Sequence, residues 1–221
     1  MTYSKEQLAG LVQTDRVHRA YYTDPAVFEA EMAKVFGKVW VYVGHDSLVP
    51  NPGDYYCTTL AGQPVVLSRH ESGSVHVLYN RCGHRGAKVL SRTRGNARVF
   101  SCMYHGWAFR PDGELAGVPM RADFPEDALR EARAGMEPLP RVDSYRGFVF
   151  ASLDPGVMPL IDFLGEARKG IDELVDRSPE GRVEFAAGCH RYHFRGNWKL
   201  QMDNMADTYH PAAAHGSTVG P

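Results

Sequence analysis

Hydrophobic and polar positions along the chain change period three times. From Asp24 to Phe36, the apolar residues Val27, Phe28, Met32, Val35 and Phe36 fall at roughly helical spacing behind Asp24 at an N-cap position and Pro25 at the first helical position, which predicts a helix. From Val39 onward, the pattern becomes short β-rich runs: VWVYVGH, YYCTTL, PVVLSRH, SVHVLYN, ARVFSC and, later, RGFVFASLD. Turn clusters such as NPGD, AGQP, ESGS and PDGE separate them. Several short strands at this spacing suggest a sandwich or barrel. After Pro155, the stretch PLIDFLGEARKGIDELVDR returns to helical periodicity. RVEFAAGCHRYHFRGNW then reads as a strand, with His190 and His193 as ordinary strand histidines. NWKLQMDNMADTYH reads as a helix that must stop or distort at Pro211. The expected organisation is a β domain over residues 38–155 inserted into a mixed α/β unit formed by residues 1–37 and 156–221.

Composition adds limits rather than a function. Lys+Arg 25 against Asp+Glu 26 gives no basic footprint for nucleic acid or an anionic membrane surface. No run approaches the ~20 apolar residues of a membrane span. The N-terminal stretch mixes charges throughout and lacks the apolar core of a secretory signal, so a cytoplasmic location is expected. The cysteines Cys57, Cys82, Cys102 and Cys189 are too few and too scattered for a disulfide framework. Cys57 and Cys189 read as packing residues, whereas Cys82 and Cys102 stand beside histidines.

Cys82 and His84 form C-x-H; after seventeen intervening residues, Cys102 and His105 form C-x-x-H, each half at the end of a predicted strand. Two such loops together would present two thiolates and two imidazoles, enough for one tetrahedral ion or for a binuclear cluster. Zinc sites usually pair like ligands locally, C-x₂₋₄-C and then H-x₃₋₅-H. Here the types interleave, which suits a [2Fe-2S] cluster with unlike irons, each loop donating Cys to one and His to the other. Gly83, Gly86 and Gly106 permit tight loops whose amides could point toward sulfur. Gly117-Val118-Pro119 offers a third covering loop.

CGHRG…CMYHGW resembles the Rieske motif of bacterial aromatic-ring-hydroxylating oxygenases, with Tyr104, Gly106 and Trp107 agreeing in the second loop and the resemblance continuing through FRPDGELAGVP. A second stretch resembles the same family's catalytic motif: Asn197, Trp198 and Lys199, then Asn204, Asp207, Tyr209, His210 and His215. On a helix, Asp207 and His210 share a face, while the five-residue step to His215 points away. Both histidines reach one metal only where the helix is broken or widened, and Pro211 is placed to do that. Two histidines and a carboxylate with open positions define the site of non-haem Fe(II) oxygenases. By the resemblance, His210 and His215 are ligands of a mononuclear Fe(II). Asp207 is not a ligand; it bonds His210 and carries electrons from the cluster of a neighbouring subunit. Asp203, one turn earlier, is the local carboxylate that could stand in as a ligand.

The implied fold is α+β: an all-β Rieske domain of small antiparallel sheets inserted into a helix-grip-like catalytic domain, incomplete here. The family's third iron ligand is a carboxylate far downstream, so these residues match about the first half of a member, and this chain alone is expected to keep the cluster and lack hydroxylation. The implied function is that of the terminal oxygenase component, (di)hydroxylating an aromatic substrate, an aromatic acid by overall resemblance, in aromatic catabolism. A reductase, with or without a ferredoxin, would supply electrons, O₂ would be the co-substrate, and the complete subunits would form homotrimers or α3β3 assemblies. A Rieske electron carrier or an inactive fragment is the alternative.

Overall fold

A computed structural model describes residues 3–125, 127–131, 134–185, 187–188 and 192–219. The chain divides into two compact units, Met32–Cys189 and a second made of Met1–Glu31 with His190–Pro221. In chain order, the helices α1 (Lys5–Ala9), α2 (Ala20–Thr23) and α3 (Pro25–Glu31) precede strands β1 (Val41–His45), β2 (Asp54–Leu60), β3 (Gln63–Arg69) and β4 (Val75–Tyr79). Four short strands follow, β5 (Arg94–Asn96), β6 (Phe100–Ser101), β7 (Ala108–Phe109) and β8 (Leu115–Gly117), then helix α4 (Ala128–Glu131) and strands β9 (Arg141–Tyr145) and β10 (Phe148–Ser152). Helices α5 (Leu160–Leu164), α6 (Ala167–Val175), α7 (Trp198–Ala206), α8 (His210–Ala214) and α9 (Gly216–Val219) complete the chain. Among the described residues, no helix is long and apolar enough to cross a membrane.

The larger unit is built on three antiparallel sheets, ordered β1-β10-β9, β4-β3-β2-β5 and β6-β7-β8. The four-stranded sheet organises the rest. Its strands β2 and β3 are joined through Ala61 and Gly62, both at positive φ (47° and 79°), the two-residue turn whose twist matches the strands it joins. Because side chains alternate along a strand, β3 sends Val66 to one face and Val65 and Leu67 to the other, and all three are fully buried. On the first face, Val66 meets Tyr55, Leu78, Phe100, Phe109, Cys82 and Cys102; on the second, Val65 and Leu67 meet Tyr56, Leu60, Val77, Val43, Val149 and Ala151. The sheet is thus buried on both faces, which is why PVVLSR reads as a continuous apolar run instead of alternating.

Several elements differ from the expectation. The helix begins as predicted, with Pro25 at its start and Asp24 Oδ1 accepting the Ala26 amide at 2.9 Å, but Met32–Phe36 widen into a π-helical turn in which the Gly37 amide reaches back five residues to the Met32 carbonyl at 2.9 Å. Helical periodicity after Pro155 resolves into α5 and α6, separated at Gly165, whose φ of 46° no helix accommodates. These helices pack Leu160, Leu164 and Ile171 against Trp40, Tyr145 and Phe150, so the compact unit runs past 155 to Cys189. No strand lies among the described residues of 182–197, and none of the described strands pairs with them; Cys189 and His190 lie outside the described residues, and His193 is exposed.

In the smaller unit, α1 carries a capping box: the Gln7 amide donates to Ser4 Oγ (3.2 Å) and the Ser4 amide to Gln7 Oε1 (2.8 Å). Asn197 caps α7 by accepting the Lys199 amide at 3.0 Å. That helix ends at Ala206, four residues before the expected stop. Pro211 instead sits in the first turn of α8, where its missing N–H leaves no bond unmade.

Truncating a ring at the junction of the sheets removes both apolar contact and volume that the surroundings cannot refill. Phe100→Ala is expected to lower the unfolding free energy by about 3–5 kcal/mol, read from the shift of the denaturation midpoint.

Candidate metal centre

Cys82 and Cys102 open two loops of one backbone design. In the first, the Cys82 amide donates to the Ala87 carbonyl (2.8 Å) and the Gly86 amide to the Cys82 carbonyl (2.9 Å). In the second, the Cys102 amide donates to the Trp107 carbonyl (2.8 Å) and the Gly106 amide to the Cys102 carbonyl (2.9 Å). Gly86 and Gly106 occupy the same left-handed position, at φ 70° and 71°. The only offset is in the histidines, two residues after the cysteine in one loop and three after it in the other.

The candidate ligands come together in pairs. Both cysteines are buried (4% and 3% exposed) in the same core cluster. The His84 and His105 rings are exposed at the loop tips with centroids 4.8 Å apart. Burial pushes the Cys82 thiol up from its usual pKa, an effect partly offset by the amides of His84 and Arg85 that point at its sulfur. No three His, Cys, Asp or Glu side chains among the described residues converge on a single-ion site. Two thiols inside and two imidazoles outside suit a binuclear cluster, which asks each loop for one donor per iron.

Other contacts hold the loops. A Cβ on Gly83 would stand 2.4 Å from the Ala134 carbonyl oxygen and 2.5 Å from that of Gly135, so the first loop is seated against backbone. The buried Asn80 side chain donates to the Leu90 carbonyl (2.8 Å) and accepts the Leu90 amide (2.9 Å), closing that loop at its base. Pro119 lies over Gly106, as a covering third loop would. The His84 ring stacks on Trp107 at 4.7 Å and 5°, a brace between loops that spacing alone does not reveal.

Residues 39–140 match the family profile of the Rieske [2Fe-2S] domain. The toluate 1,2-dioxygenase subunit alpha of Pseudomonas putida is 40% identical over 202 residues, which are 90% of this chain and 44% of that one. The anthranilate 1,2-dioxygenase large subunit of Acinetobacter baylyi is 41% identical over 201 residues, 90% and 42% of the two chains. The chain contains a Rieske [2Fe-2S] domain. The match extends in three dimensions: the crystal structure of naphthalene 1,2-dioxygenase from Rhodococcus sp. superposes with a TM-score of 0.87 at 35% identity, covering 98% of this chain and 51% of that one. The chain therefore spans about half the length of the relatives it matches.

The second group of candidate ligands lies at the junction of α7 and α8. Asp207 follows α7 and places Oδ2 3.0 Å from His210 Nδ1, while the His210 and His215 rings bracket α8 with centroids 5.5 Å apart. Two irregularities frame this helix: before it, the Asp207 carboxylate accepts the Tyr209 amide at 2.7 Å where α7 has ended, and after it His215, the C-cap, leaves helical geometry at φ −120° and ψ 25°, while Pro211 breaks nothing. That amide, and then the imidazole, hold the Asp207 carboxyl below its ordinary pKa. Asp203 is turned away from this group, its carboxylate accepting the Tyr22 hydroxyl at 2.8 Å, and Asn204 is exposed on α7.

Two consequences can be measured. Gly83→Ala, which drives a methyl group into backbone, is expected to lose most of its acid-labile sulfide, whereas Gly117→Ala, with nothing within 4 Å of the new methyl, keeps it. Burial pushes the Cys57 thiol up from 9.0 to about 11, so its thiolate is scarcer at any pH below that value. At pH 8, alkylation of Cys57 in the folded chain should run about a hundredfold slower than that of a free cysteine, and should rise with pH until about 11.

Proposed function

We propose that Cys82, His84, Cys102 and His105 hold the [2Fe-2S] cluster, and that the chain is the cluster-bearing part of the terminal oxygenase of an aromatic-ring-hydroxylating system. The observation that carries this reading is the pair of backbone-equivalent loops, each with a buried cysteine at its start and an exposed histidine at its tip, the two imidazoles side by side. Two neutral imidazoles in place of thiolates leave less negative charge on the cluster, and the amides aimed at Cys82 reduce it further; both favour the reduced form. The Rieske domain over about residues 38–155 receives electrons, and the flanking segments belong to the catalytic domain.

His210 and His215 are proposed as two ligands of a mononuclear Fe(II), completed by a carboxylate further along the sequence, as the resemblance implies. An ionised Asp207 can only accept, so His210 presents Nδ1–H to it and keeps the Nε2 lone pair for metal. The same carboxylate would face a cluster histidine of a neighbouring subunit in a trimer, with or without a β subunit. Iron bound there supplies O₂ activation for (di)hydroxylation of an aromatic ring. The toluate and anthranilate dioxygenases among the relatives support an aromatic acid as substrate. A reductase, with or without a ferredoxin, would be the electron source.

Iron, zinc and acid-labile sulfide measured on anaerobically purified chain test the cluster. Two irons and two sulfides are expected, with a reduction potential in the range of about −150 to +300 mV general to Rieske centres, rather than near about −400 mV. Zinc without sulfide would overturn the assignment.

A further inference from the structure

The smaller unit contains a buried charge that this function does not use. Lys199, 4% exposed, forms an ion pair with Glu31 Oε1, while the Trp198 indole donates to Glu31 Oε2 at 2.9 Å. The Lys199 ammonium lies 4.4 Å from the centroid of the Tyr21 ring. Nothing local favours a lysine here. It sits in the first turn of α7, where the helix dipole disfavours a cation, and the α3 carboxylate of Glu31 balances its charge. A buried ion pair contributes little stability beyond that of well-packed apolar residues, because desolvation offsets the attraction; what such a pair can specify is register.

The geometry shows what register is at stake. Lys199 and Asp203 are four residues apart on one face of α7, and the Tyr22 hydroxyl donates to Asp203 at 2.8 Å. Asn197 adds a bond from Nδ2 to the Tyr22 carbonyl at 3.2 Å. Four residues on stands Asp207, the C-cap of α7, whose amide donates to the Asp203 carbonyl at 2.9 Å and whose carboxylate holds His210. A slip of one residue would rotate α7 by about 100° and carry Asp207, fixed to its end, round by the same angle.

We propose that the Lys199–Glu31 pair, together with Tyr22 and Asp203, is a positioning clamp that fixes the rotation of α7 and thereby the placement of Asp207, His210 and His215. The inference rests on the reading of His210 and His215 as iron ligands. Removing both charges of the pair, Lys199→Met with Glu31→Gln, avoids stranding one of them, and Tyr22→Phe removes only a partly exposed hydroxyl.

The test uses the full chain with its cluster assembled and Fe(II) supplied anaerobically, followed by Fe(II) titration, electron paramagnetic resonance of the nitric oxide adduct, and thermal melting. In both variants, the melting midpoint and the cluster spectrum are expected to stay close to wild type, while Fe(II) affinity falls about tenfold or more and the nitrosyl line shape changes, the scale typical of losing an outer partner of a metal ligand. If the double variant fails to fold, Tyr22→Phe decides alone. Wild-type iron affinity and line shape in the variants that fold would overturn the clamp. A wild-type chain that gives no nitrosyl signal would instead overturn the iron reading, and the clamp with it.

Discussion

The two cysteine loops can meet only because the sheets that carry them share one side of the β4-β3-β2-β5 sheet. Cys82 follows β4 and Cys102 follows β6, strands in different sheets with no hydrogen bond between them. What joins them is apolar contact: Phe100 and Phe109 from the small sheet against Tyr55, Val66 and Leu78 from the large one. Such contact is non-directional, so the loops gain their precision elsewhere. Matched backbone bonds at each loop base, the Asn80 bridge to Leu90 and the stack of Trp107 on His84 supply it.

The burial of the large sheet on its other face has an equally structural role. Val65, Leu67 and Val77 meet the β1-β10-β9 sheet, and that sheet in turn packs α5 and α6 through Phe150 and Tyr145. The loops stand at one end of a stack of layers whose deeper members are fixed by volume. Strain introduced at the stack cannot relax into empty space, so it is transmitted to the loops.

What was legible in the sequence was what is local. Each half of the cysteine–histidine pattern sits within one six-residue loop, so its closeness reads directly from spacing. The β2–β3 hairpin announces itself through a two-residue turn between apolar runs. The α7–α8 junction was half legible: the need for a break between His210 and His215 follows from helical geometry, but its position does not. The helix runs on through Pro211 and leaves helical geometry only at its C-cap, His215, whereas the turn of Asp207 back to the Tyr209 amide ends the preceding helix. The Lys199–Glu31 pair joins residues 168 apart and leaves no trace in any window of sequence. The strand expected over 182–198 is missing among the described residues there for a related reason, since an alternating pattern becomes a strand only where another strand pairs with it.

The common backbone of the two loops separates architecture from redox character. Both are held by the same pair of main-chain bonds and the same left-handed glycine, while the imidazole sits on the second rung after the cysteine in one and the third in the other. Frame and ligand type are therefore independent variables. The main chain sets where the rungs are, and the side chain on each rung would set how much charge a metal cluster held there carries, so the electrochemical class of such a centre could be rewritten at the loop tips without redrawing the scaffold.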